Sequence, residues 1–137
     1  MAKSPNHSSY LKAADKLFMP QFRGLPCEVC QTEEGTCGHH FISKGRSRAL
    51  RFDKRNIIVL CAGHHNFGKV EQSSGEVIGA HSKSNMDQER FINWFKETHP
   101  ERYKWLKENE YIQRRYTYKE AVENMKAGRE AWKNEEV

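Results

Sequence analysis

Two pairs of potential metal ligands share one spacing in this chain. Cys27-x-x-Cys30 supplies two thiols, and Cys61-x-x-His64 supplies a thiol and an imidazole. Together they make a set of three thiolates and one imidazole suited to tetrahedral Zn2+. Thirty residues (31–60) separate the pairs, enough for a whole hairpin. A shared ion would therefore close a long loop and constrain everything inside it. Cys37 is the remaining cysteine and the alternative fourth ligand; the matched x-x spacing favours His64.

Composition explains why a staple is needed. Of 137 residues only 36% are hydrophobic and 30% are charged, so the core is thin, and small domains of this kind often lean on metals or disulfides. The first twenty residues hold no apolar stretch of the sort that directs secretion. A cytoplasmic, reducing setting is expected, and there metal ligation is favoured over disulfides. The longest apolar run, residues 57–62, is far too short to span a bilayer, so no membrane partner is expected.

The chain divides into an N-terminal helical arm (1–23), a zinc-stapled core (24–83) and a C-terminal helical region (84–137). Residues 8–19 read as a short helix, with Leu11, Ala14, Leu17 and Phe18 as its stripe and Pro20 as its stop. Residues 37–43 read as extended, and 56–60, with β-branched residues in a row, as the strongest strand. A short helix is expected to begin at Cys61, and residues 70–83 read as a loop or an irregular extended segment. Ser84 or Asn85 caps a helix over about 86–97. Pro100 opens another, and Thr117 with Glu120 fits a capping box for a third.

The net charge of +5, from 23 Lys and Arg against 18 Asp and Glu, is concentrated in one place. Residues 44–55 carry Lys44, Arg46, Arg48, Arg51, Lys54 and Arg55 against the single Asp53, which accounts for the whole excess. One basic loop in an otherwise neutral chain points to an anionic partner, most often nucleic acid. Nothing in the loop has the pattern of a recognition helix, so backbone or shape recognition is expected over base reading.

Histidine is the other unusual feature. There are seven, and four form adjacent pairs, His39-His40 and His64-His65. Neighbours on a strand point to opposite faces, so His39 and His40 are suited to different roles, one as a ligand and one as a base. His65 follows a proposed zinc ligand and is available to a second site. His7, His81 and His99 read as surface residues.

The order Cys27-x2-Cys30, His39-His40, Asp53-x2-Asn56, Leu60-Cys61-x2-His64-His65 resembles the HNH, or ββα-metal, endonucleases, over residues 27–69. The wording of residues 38–57 is also similar to the phage NinG/Rap-type recombination endonucleases. The resemblance implies an α+β fold, a small ββα-metal core with structural zinc surrounded by helices. It implies that His39 and His65 ligate a catalytic divalent cation such as Mg2+, Mn2+ or Ni2+. His40 would be the general base, and Asn56 the central motif residue tying the loop to the second strand. It further implies DNA hydrolysis leaving a 5′-phosphate, possible action on branched recombination intermediates, and a bacterial or phage origin. Some relatives carry a third ligand one helical turn beyond the last histidine; here that position is Lys69, which leaves the third ligand open. Two other readings stand beside this one: a non-catalytic zinc-stapled DNA-binding or recombination-accessory module, and a sequence-specific mobile-element or restriction nuclease. Whether the chain acts as a monomer or a homodimer is left open.

Overall fold

The computed structural model describes residues 7–31, 37–44, 47, 50–72, 74–111, 119, 122–123 and 126. The architecture is α+β: helices around two small antiparallel sheets of two strands each. Helix α1 (His7–Phe18) runs into a 3-10 turn (Met19–Phe22) with Pro20 in its first turn. Ala14 and Phe18 of the expected stripe are fully buried, but Leu17 is 42% exposed. Phe22 takes its place, with Phe18 packed edge-on to both Phe22 and Phe52.

Strand β1 (Cys37–His40) pairs antiparallel with β2 (Ile57–Leu60), placing His39 opposite Ile58 and His40 opposite Ile57. Every residue of β2 is buried. Side chains alternate along a strand, so β2 partitions the thin core in two. Ile57 and Val59 join α1 and Phe52 in one cluster, with Val122. Ile58 and Leu60 join Cys27, Cys61, Phe91, Phe95 and Leu106 in the other.

The extended segment expected over 37–43 ends at His40, because Asn56 captures the chain there. The Asn56 carbonyl accepts from the Phe41 N–H at 2.9 Å. Its side-chain Oδ1 accepts from the Ile42 N–H at 2.7 Å, while Nδ2 donates to the carbonyls of Ile42 and Leu50 at 2.9 and 3.1 Å. Asn56 is fully buried, so both ends of the 41–56 loop hang on one amide. Asp53 caps the 3-10 turn Lys54–Asn56 by accepting from the Arg55 N–H.

The outer edge of β2 is closed by residues distant in sequence. Glu28 forms two bonds with the Val59 backbone, N–H to carbonyl at 2.8 Å and carboxylate to N–H at 2.7 Å. Arg102 reaches from α3 (Pro100–Asn109) to Glu28 at 2.8 Å and to the carbonyls of Arg55 and Ile57. An edge strand left open is a template for unwanted pairing; here a carboxylate and a guanidinium occupy it.

Helix α2 (Asn85–Thr98) is capped by the Ser84 hydroxyl, as expected, and buries Phe91 and Phe95. Residues 70–83, expected to be irregular, contain a miniature hairpin: β3 (Lys69–Val70) pairs with β4 (Val77–Ile78). Strands of two residues are too short to leave a periodic trace. The capping box at Thr117 and Glu120 lies outside the described residues. No helix among those described is long and apolar enough to cross a membrane.

Asn56→Ala should lower stability by about 3 kcal/mol, because it removes three hydrogen bonds and strands buried backbone groups. The urea midpoint, read at unchanged m-value, checks this.

Candidate functional site

Cys27, Cys30, Cys61 and His64 converge as the spacing suggested. Cys27 and Cys30 lie on a turn in which the Cys30 N–H donates to the Cys27 sulfur. Cys61 and His64 lie one helical turn apart on the far end of β2. The Cys30 and Cys61 sulfurs are 3.7 Å apart, and His64 Nδ1 lies 3.2, 3.6 and 3.9 Å from the sulfurs of Cys30, Cys61 and Cys27. A tetrahedron with metal–sulfur arms of about 2.3 Å has edges of roughly 3.8 Å, so the spacing fits a zinc-like ion bound through Nδ1. The cluster can hold a metal ion such as zinc. The side chain of Cys37 is outside the described residues.

Crowding and burial push the Cys30 thiol up to about 12, burial first, then the charge of Cys27 and contacts with Cys61. A cation reverses that penalty by bonding the thiolates directly. Lys69, left by the sequence as an open ligand position, points to the Cys30 sulfur at 3.7 Å. Its ammonium offsets the excess negative charge of three thiolates around a divalent ion.

A second group lies on the other side of the same turn: His39, His65 and His81, with one ring nitrogen each within 4.8 Å of the others. Their ring centroids are 4.7 to 5.2 Å apart. His39 comes from β1 and is buried against Phe91. His65 comes from the π-helical turn Gly63–Phe67, a geometry frequent at functional sites.

His81, read from the sequence as a surface residue, is exposed, and backbone bonds bring it beside the other two. The Ala80 N–H donates to the His64 carbonyl at 2.9 Å, and the His81 N–H to the His65 carbonyl at 2.7 Å. This docking needs glycine at both contact points. Gly68 leaves the turn at φ +89°, and a Cβ on Gly79 would lie 2.8 Å from the Gly68 backbone. A surplus histidine two residues past a glycine was the only sequence signal for it.

Burial, then the charges of His81, His65 and His40, lower the His39 pKa to about 3. Burial and His81 lower that of His65. Neutral imidazoles are the form that ligates a cation, and three of them suit a first-row transition metal better than Mg2+, which prefers oxygen.

His40 faces away from this group. Its Nε2 lies 2.8 Å from the Arg51 carbonyl. A carbonyl only accepts, so Nε2 carries the hydrogen and Nδ1 is the basic nitrogen. Burial lowers the His40 pKa, opposed in part by that hydrogen bond. His39, His40 and His81 line one cleft of about 400 Å3, with Gln88, Tyr103 and Lys107 on its opposite wall.

The basic loop is less open than its composition suggests. Arg51 is turned inward onto Asp15 at 2.6 Å, and its side chain is 13% exposed. Arg55 pairs with Asp53 at 2.7 Å and lies 3.4 Å over the Trp105 ring. Lys44 and Lys54 are exposed. Arg46 and Arg48 lie outside the described residues.

No protein-family model matches the chain, and neither a curated protein nor a solved structure does.

The two centres should differ in their proton balance. Zinc rebinding to metal-free protein at pH 7.5 should release protons, because the Cys30 thiol starts protonated. Ni2+ or Mn2+ added to zinc-loaded protein should release almost none, because His39 and His65 are already neutral. Calorimetric titration in two buffers of unlike ionisation enthalpy reads both; proton release at the second step would contradict the assignment of that site to the histidines.

Proposed function

We propose that this chain is a metal-dependent endonuclease of the HNH, ββα-metal kind that hydrolyses DNA phosphodiester bonds. One convergence carries the reading. A strand histidine (His39), a turn histidine (His65) and a loop histidine (His81) meet in one group, and His39, His81 and a separately held, basic histidine (His40) line one cleft. The strand–loop–strand–turn order from His39 to His65, with Asn56 bracing the loop between, matches what that family would require.

The residues divide the work. His39, His65 and His81 would hold the cation, which when bound supplies positive charge to the phosphoryl and leaving oxygens. His40 Nδ1 takes the proton from the attacking water as the new P–O bond forms. The P–O3′ bond then breaks, the leaving 3′-oxygen takes a proton from solvent water, and the products are a 5′-phosphate and a 3′-hydroxyl. Asn56 touches no substrate in this scheme; it positions His40 by fixing the loop that presents the Arg51 carbonyl. Lys44 and Lys54 flank the loop as phosphate contacts, whose contribution falls with salt. The Cys27, Cys30, Cys61 and His64 centre is structural and bears on activity only through the turn it holds.

Supercoiled plasmid incubated with zinc-loaded protein and Mn2+, Ni2+ or Mg2+ tests this directly. Nicking is expected with the transition metals and weakly with Mg2+. His40→Ala should keep one zinc per chain and an unchanged fold while losing roughly 100- to 10,000-fold in rate. Cleavage by that variant at the wild-type rate would sink the mechanism. His81→Ala should raise the concentration of Mn2+ needed for half-maximal rate without altering zinc content. No conversion under any cation would leave the non-catalytic, zinc-stapled DNA-binding module as the better reading.

The pH profile follows from burial of His40. A lowered pKa keeps the ring neutral, and so competent as a base, to lower pH than an ordinary imidazole near 6.5. Cleavage at saturating Mn2+ should be flat above pH 6.5 and fall only as pH drops through the lowered value. A midpoint above 6.5 would point to a different base.

A further inference from the structure

The cleft beside the histidines is shaped for something smaller than a double helix. It measures about 400 Å3 and lies between β1 and the α2–α3 pair. That is within the range of pockets that enclose one small molecule, roughly 300–1,000 Å3. Phe41 and Tyr103 line it, both half-buried, their rings edge-on with centroids 5.8 Å apart. Lys107 sits at the same cleft, its ammonium fixed 2.6 Å from the fully buried Glu110 carboxylate. Tyr103 and Lys107 also line a neighbouring groove with Lys96 and Lys104, and Lys96 lies 5.6 Å from the Tyr103 ring centroid. Aromatic surface inside and a row of lysines leading outward is the pairing that takes a base and then its phosphates.

We infer that this cleft receives one unpaired nucleotide, and that the DNA acted on carries an unpaired base next to the phosphate presented to His40. The second half of the statement rests on the nuclease reading. The base stacks on Phe41 and Tyr103, and the strand leaves across Lys107 toward Lys104 and Lys96. A fully paired duplex cannot fill the cleft without flipping a base out, which costs unpairing and unstacking. A bulge, gap or branch point has met that cost already. Arg51 and Arg55 are ion-paired within the fold; on the other side of the cleft Lys107 and Lys104 face Glu110 and Glu108 at 2.6 and 4.0 Å, and Lys96 stands beside them on the same groove.

The test uses zinc-loaded protein with no second cation and two duplexes, one with 2-aminopurine in a single-nucleotide bulge and one with it paired. Anisotropy should show the bulged duplex bound roughly tenfold more tightly, with its 2-aminopurine emission quenched by stacking. Ile92 is on the cleft wall and 42% exposed, so Ile92→Trp fills the space without entering the core. It should abolish the preference and leave paired-duplex binding unchanged. Tyr103→Ala should weaken the preference, and Tyr103→Phe should restore it. Equal affinity for the two duplexes, or a preference that survives Ile92→Trp, would overturn the inference. Cleavage, assayed separately with Mn2+, distinguishes the two proposals. Equal cutting of both duplexes removes the pocket and leaves the nuclease. Bulge-selective binding without cutting under any cation supports the pocket and removes the nuclease.

Discussion

Three sulfurs and an imidazole nitrogen gathered at tetrahedral spacing are the constraint on which the rest of the structure depends. Without an ion the arrangement is unfavourable, since burial and neighbouring thiols hold Cys30 protonated to about pH 12. With one, it joins two segments separated by thirty residues (31–60) and fixes the turn at Gly63–Phe67. That turn carries His65, and its carbonyls at His64 and His65 receive the segment bearing His81. The order of dependence runs from thiolates to turn to imidazoles. A chain with 36% hydrophobic residues has little other means of holding three histidines in register.

The adjacent centres are chemically unlike, and the difference follows from donor type. Soft thiolates select and retain a zinc-like ion, closed off by four protein ligands. Three imidazoles, if they held an ion, would leave further coordination positions open. His64 and His65 are consecutive yet belong to different centres, because adjacent side chains on the turn diverge. The same divergence separates His39 from His40 on β1. Two pairs of neighbouring histidines are thus divided among the thiol cluster, the three-histidine group and the contact with the Arg51 carbonyl.

Features that depend on local spacing were legible in the sequence. The x-x pairs, the alternation of His39 and His40, the cap at Ser84 and the buried run of β2 all follow from periodicities of one turn or two residues. His81 was not legible, because its position is set by backbone bonds to residues sixteen positions earlier and by the contact of Gly79 with Gly68. The hairpin of β3 and β4 has too few residues to show a pattern. The fate of the basic loop was equally hidden. Counting charge reveals that Arg51 and Arg55 are present, but their partners Asp15 and Trp105 are 36 and 50 positions away.

That loop also changes meaning once folded. Arg51 spans two tasks: its guanidinium is bound to Asp15 on α1, and its carbonyl accepts the hydrogen of His40 Nε2. The ion pair is largely shielded from solvent, so it is screened less than a surface pair would be. It therefore anchors the peptide that sets the tautomer of His40. Asn56 holds the same loop from its other side through Leu50, the residue before Arg51. Part of the positive charge that first suggests a phosphate clamp is instead used inside the fold, and α1, through Asp15, helps fix the carbonyl that holds His40 Nε2.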